Sequence, residues 1–205
     1  YGRIIDRMVL RAPAGLKAAL GENPKRIHGG NNKKAPLTRM ATAALLRETL
    51  VKAQNYRRKL EAGADIERDL RLESVLKVLS RQIPLRVHAH RTDDILTALR
   101  IAEEFAIDIC IEHCTEGHKI VELLASRRVP CLVGPLISNR SKVELKNRSL
   151  ATPGILARAG VPVALVTDHP VVPIEFLSLC AGLAVKAGLD EAEALRAITI
   201  NPARI

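Results

Sequence analysis

What most constrains this chain is a local arrangement that recurs along it. An apolar run ends in a histidine or an aspartate and then gives way at once to a helical pattern. Ile83-Pro-Leu-Arg-Val-His-Ala-His90 is followed by Arg91-Thr-Asp-Asp94 and a helix with Ile95, Ala98, Leu99, Ala102 and Phe105 on one face. Ile107-Asp-Ile-Cys-Ile-Glu-His113 leads into Thr115-Glu-Gly-His118 and a helix carrying Ile120, Val121 and Leu124. Val161-Pro-Val-Ala-Leu-Val-Thr-Asp-His169 repeats the arrangement near the end of the chain. Strands that each deliver a metal-binding or acid–base side chain at the C-terminal end are what a parallel α/β barrel uses to build a site on one rim.

The other segments fit the same alternation. Residues 15–20 read as a short strand, residues 21–26 as the loop at its end, and residues 29–34, rich in Gly and Asn, as a flexible loop. Thr38 is placed to cap a helix running to Leu60, which Gly63 breaks, and Leu72, Val75, Leu76 and Leu79 mark a second helix. Residues 129–135 read as a strand and residues 138–149 as a long polar loop. Thr92 or Asp93 is expected to cap the helix after His90. Thr152 is expected to cap a short helix with Pro153 at its first position, closed by Gly160. Of two closing helices, the second opens at Asp190 with Glu193 three residues on, a capping-box pattern. Five strands alternating with helices predict an α/β fold with a parallel sheet and helical crossovers, in a single domain over residues 1–205. Five units are too few to close an eight-stranded barrel, so the sheet is either open and doubly wound or part of a longer chain's barrel.

Composition narrows the partners. The net charge of +10 raises nucleic acid as a partner, but the basic residues are scattered, with local excess only over residues 21–34 and 139–148. Aromatics are 2% of the chain, which leaves almost no stacking platform for single strands. A small-molecule substrate is expected instead, and a homo-oligomer is compatible with the sequence. No apolar run reaches the roughly 18 residues that a membrane span needs, and the N-terminus has no signal-peptide pattern. Cys110, Cys131 and Cys180 lie in apolar runs and Cys114 forms no CxxC pair, which points to a reducing, cytoplasmic setting.

His88 and His90 are two apart on a strand and therefore share a face. That spacing suits a metal, or one of the pair could be satisfied within a core. His113 ends the next strand, and neighbouring parallel strands lie about 4.8 Å apart, so side chains from the ends of adjacent strands can converge on one ion. Asp168 ends a further strand and offers a carboxylate that can bind metal or take a proton. Glu22 follows the first strand at the equivalent position, with Lys17 inside that strand as its rival. His169 and His118 could orient ligands or touch substrate. Glu112 and Arg86 could support the site, and His28 and Asn139-Arg-Ser-Lys142 could reach a substrate.

Taken together, Val87-His-Ala-His90, Ile111-Glu-His113, Val166-Thr-Asp-His169 and the closing Ala197-Ile-Thr-Ile-Asn-Pro-Ala203 resemble the metal-dependent amidohydrolases, in the branch of imidazolonepropionases and metal-dependent dipeptidases. The resemblance implies a (β/α)8 barrel of which this chain supplies about the last five units. It implies His88, His113 and Asp168 as ligands, with Asp168 also shuttling the proton, and Glu22, in preference to Lys17, as the bridging ligand. His90 and His169 fall where substrate contacts are expected. One or two divalent ions, expected to be zinc, would serve hydrolysis of an amide or cyclic-amide carbon–nitrogen bond. The family's first-strand His-x-His pair and its small β-sandwich have no counterpart here, as expected of an incomplete chain. A metal-dependent phosphoesterase and a non-catalytic basic binding module are the rival readings.

Overall fold

The structure is a computed structural model that describes residues 3–30 and 34–205; residues 31–33 of the expected flexible loop lie outside the described residues. Five strands form one parallel sheet: Leu16–Ala19 (β1), Leu85–Ala89 (β2), Ile109–His113 (β3), Cys131–Val133 (β4) and Val163–Leu165 (β5). Their order is β1-β2-β3-β4-β5, each strand beside its sequence neighbour. A doubly wound sheet reverses its strand order at a switch point, and this sheet has no reversal. The register sets Ala19 beside His88 and Ala89 beside His113, so the histidine-bearing ends are level.

Eight helices accompany the strands among the described residues: Arg39–Glu61 (α1), Leu70–Leu79 (α2), Thr92–Phe105 (α3), Val121–Ser126 (α4), Thr152–Arg158 (α5), Leu177–Lys186 (α6), Glu191–Ala197 (α7) and Ile200–Arg204 (α8). After β1, where a loop is expected, the chain makes a helical turn at Glu22–Pro24 and a π-helix at Lys25–Gly30.

Caps fix most of the helix starts. Thr38 accepts the Ala41 N–H at 3.1 Å, Asp69 accepts those of Arg71 and Leu72, and Asp190 accepts that of Glu193 at 2.9 Å. Two expected caps are not formed. Arg91 occupies the cap position of α3, and the Thr92 N–H goes at 2.9 Å to Glu116, a carboxylate brought from the following loop. Thr152 lies inside α5, and its hydroxyl pairs with His118 Nδ1 at 2.9 Å. In both places a partner distant in sequence replaces the local one.

Strand alternation sorts the side chains by face. Leu85, Val87 and Ala89, Ile109 and Ile111, Cys131 and Val133, and Val163 and Leu165 face the helices and join Leu50, Val78, Ile95, Leu99, Leu124 and Leu156 in one core. The other face carries a small cluster of Cys110, Leu132 and Ala164. Beside it runs a ladder in which Lys17 and Arg86 both pair with Glu112. The four cysteines are free and buried. No helix among the described residues is long and apolar enough to cross a membrane.

Candidate metal centre

The ends of β2 and β3 bring three buried histidines together. The ring centroids of His88, His90 and His113 lie 4.4–4.7 Å apart, and one ligand nitrogen from each falls within 4.8 Å of the others. His88 and His90 reach this place by alternation. His113 does not, because alternation would point it into the helix-facing core with Ile109 and Ile111. Its φ of 72° puts the backbone in the left-handed region, and that re-aims the ring at its neighbours. Asp168 has the same conformation, with φ 53°. Left-handed Arg81, Ala106 and Arg128 stand just after helix ends, where that geometry is a common stop, whereas His113 is the last residue of β3, Cys114 follows it, and Asp168 lies after β5. Non-glycine residues held there cost on the order of 1–3 kcal/mol each and concentrate at functional sites.

Hydrogen bonds fix how the rings present their nitrogens. The carbonyl of Gly134 can only accept, so His113 Nδ1 donates to it at 2.8 Å and Nε2 keeps its lone pair. His90 Nδ1 is 2.7 Å from the Thr115 hydroxyl. Asn23 receives the Lys142 ammonium on its oxygen at 2.6 Å, so its amide nitrogen faces His88 Nε2 at 3.3 Å as donor, and that nitrogen too carries a lone pair. Burial, reinforced by the neighbouring imidazoles, pushes His90 down to about 2 and His113 to about 4. Both are therefore neutral at neutral pH, the form that binds a metal.

A residue unforeseen from the sequence completes the group. Glu144, in the turn Val143–Leu145 of the segment after β4, is buried with a fully covered side chain. Its Oε2 accepts the Glu22 N–H at 2.9 Å, and its own N–H donates to Glu22 Oε1 at 3.2 Å. Its Oε1 lies 3.8 Å from His88 Nε2 and 3.7 Å from His90 Nε2, and no donor reaches it. Burial opposes its charge, while the Glu22 N–H and the Lys142 ammonium favour it and keep it a carboxylate. The available signal was a lone acid inside the basic stretch from Asn139 to Arg148.

The other expected site residues lie around this cluster. Glu22 opens the turn after β1 and faces the Glu144 backbone, and among the described residues it is not in the imidazole group. Lys17 is inside β1 and paired with Glu112; burial lowers its pKa while Asp168 raises it. Exposed Asp168 and His169 share a cavity of about 370 Å³ with Lys17, Arg86, Glu112 and His113. His169 accepts the Ile174 N–H at 3.3 Å, and His28 is exposed on the π-helix.

Comparison with known proteins agrees with this geometry. A crystal structure of an amidohydrolase from Thermotoga maritima MSB8 superposes on the whole of this chain with a TM-score of 0.95 and 45% sequence identity. Over its whole length the chain is thus similar to an amidohydrolase. It spans 54% of the length of that amidohydrolase chain. Amidohydrolase tasK of Hapsidospora irregularis is 25% identical over 92% of the chain, which covers 21% of that protein. No family model matches. The donors gathered here suit a divalent ion: three buried, ring-oriented imidazoles and a carboxylate oxygen without a donor are what a cation would satisfy.

Proposed function

We propose that this chain is part of a metal-dependent hydrolase that cleaves an amide or cyclic-amide carbon–nitrogen bond in a small molecule. Residues 1–205 would supply five consecutive units of a (β/α)8 barrel catalytic domain. The sequential, unreversed parallel sheet and the superposition on an amidohydrolase support this. The observation that carries the reading is the convergence of His88, His90 and His113 at level strand ends, with His113 held there in a left-handed backbone.

His88 and His113 would hold a divalent ion such as zinc, which takes imidazole and carboxylate donors, with His90 in reach through Nε2. Glu22, one hydrogen bond from the Glu144 backbone, is the acid that would bridge to a second ion. Bound there, such an ion lowers the pKa of a water and polarises the substrate carbonyl. Exposed Asp168 takes a proton from the attacking water and returns it to the leaving nitrogen. Lys17, whose charge Asp168 stabilises, keeps a cation beside that carboxylate. His169, on the same cavity, contacts the substrate. The four buried free thiols suit a reducing compartment such as the cytoplasm.

The test is a panel of amides, cyclic amides and phosphoesters offered to the full-length protein, with and without added zinc. We expect metal-dependent turnover of an amide and a loss of about 10²–10⁴-fold in Asp168→Asn. Preference for phosphoesters would favour the rival esterase, and metal-independent turnover or an active Asp168→Asn would overturn the reading.

A further inference from the structure

We propose that Glu144 is a direct carboxylate ligand of the metal centre, delivered by the segment that closes over it; this rests on the reading that the histidines hold a divalent ion. Each carboxylate oxygen has a different situation. Oε2 is accounted for by the Glu22 N–H, a bond that caps the turn after β1. Oε1 is buried, has no donor, and faces the two Nε2 atoms of His88 and His90. At 3.7 and 3.8 Å these separations are too long for hydrogen bonds. They are close to what shared coordination needs: two ligands about 2.0–2.1 Å from one tetrahedral zinc stand about 3.4 Å apart.

A purely structural role does not explain Oε1. Capping the turn uses one oxygen, and a glutamine would serve as well. A buried carboxylate oxygen with no hydrogen-bond donor is costly, and a cation in direct contact would satisfy it. Lys142, 3.6 Å from Oε1, is directed to Asn23 Oδ1 at 2.6 Å.

The segment is also anchored without any ion, so the carboxylate is held in place before one arrives. The Glu144 N–H binds Glu22, Lys142 binds Asn23, Asn147 binds Glu116, and Arg148 Nη1 donates to Ser138 at 2.6 Å. These ties join the turn after β1, the loop after β3 and the segment after β4 around the histidines. The ligand set would therefore draw on a loop as well as on strand ends.

The experiment measures zinc affinity of the full-length protein against a competing chelator, with the visible spectrum of the cobalt(II)-loaded protein as a second readout. Glu144→Gln keeps the cap and removes the charge. We expect its zinc affinity to fall at least about 10–100-fold, the loss that a merely supporting residue causes. The cobalt bands should change in intensity and position, and Glu144→Asp should recover part of both. Wild-type affinity and spectrum in Glu144→Gln, with binding still abolished by His113→Gly, would overturn the ligand role and leave the histidine site standing. A wild-type protein that binds no stoichiometric ion would overturn both. Should Glu144→Gln not fold, Glu144→Asp decides: weakened affinity with altered bands supports the ligand, and unchanged values overturn it.

Discussion

At the C-terminal ends of the strands His113 sits at φ 72°, buried against two other imidazoles. At the opposite ends Arg81, at φ 58°, reaches Asp108 across a 2.6 Å salt bridge with both side chains about half exposed. The two residues share a backbone conformation and differ in everything else. Arg81 follows a helix end, where a left-handed residue is an ordinary stop, and its ion pair is solvated and contributes little. His113 ends a strand, and its conformation turns a polar ring out of the core and into a cluster of buried polar groups. One rim therefore holds charge that water already satisfies, and the other holds buried imidazoles and a carboxylate oxygen without a hydrogen-bond donor. In parallel α/β sheets ligands gather at the carboxyl ends of the strands, and the difference between these rims is the physical form of that rule.

The sharpest way to break the contrast is at Gly134, whose carbonyl orients His113. A Cβ there would meet the Val166 carbonyl oxygen at 2.0 Å, and the residue has φ 145°. Gly134→Ala should cost about 3 kcal/mol or more by chemical denaturation, because the obstacle is backbone and cannot rotate away. Metal affinity should fall with it. Glycine placed at the two left-handed residues gives the paired test. His113→Gly relieves the backbone strain, so the metal-free protein should change by less than about 1 kcal/mol, while metal affinity drops by more than about 100-fold. Calorimetric melting and chelator competition read the two effects separately.

Glu116 gives a smaller effect on the same rim. It accepts from the Thr92 N–H and hydroxyl and from Lys119 at 2.8–3.1 Å, and also from Asn147. Burial opposes its charge, but these donors hold its pKa down to about 2, against an ordinary 4.5. A folded-state value below the unfolded one contributes stability that is present above about 4.5 and lost as pH falls towards 2. Glu116→Gln should therefore lose about 1–3 kcal/mol at pH 6 and show a flatter acid decline than the wild type, followed by denaturant melts from pH 6 to 2. The smallest effect belongs to the other rim. Arg81→Gly removes an exposed pair but suits the left-handed backbone, and should leave the denaturant midpoint and metal affinity essentially unchanged.

The strands, their parallel pairing and the placing of His88, His90 and His113 at strand ends were legible because hydrophobic period and strand ends are local properties of the sequence. Thr38 and Asp190 were legible as caps for the same reason. Glu144 was not, since nothing near it in sequence says that its carboxylate crosses to Glu22, 122 residues away. Thr92 and Thr152 were misread as caps because Glu116 and His118 reach them from other loops. Alternation alone would have sent His113 into the core, and only the backbone conformation reveals how it joins the site. Secondary structure is written in short-range pattern, and loop geometry in long-range hydrogen bonds that a single sequence does not display.

The central claim is that the histidine cluster is a metal centre, and X-ray absorption at the zinc edge of the full-length protein tests it most directly. We expect stoichiometric zinc with a nitrogen and oxygen shell at about 2.0–2.1 Å and the outer-shell scattering of imidazole. A protein without stoichiometric metal, or a sulfur shell at about 2.3 Å drawn from cysteines such as Cys114 and Cys131, would contradict it.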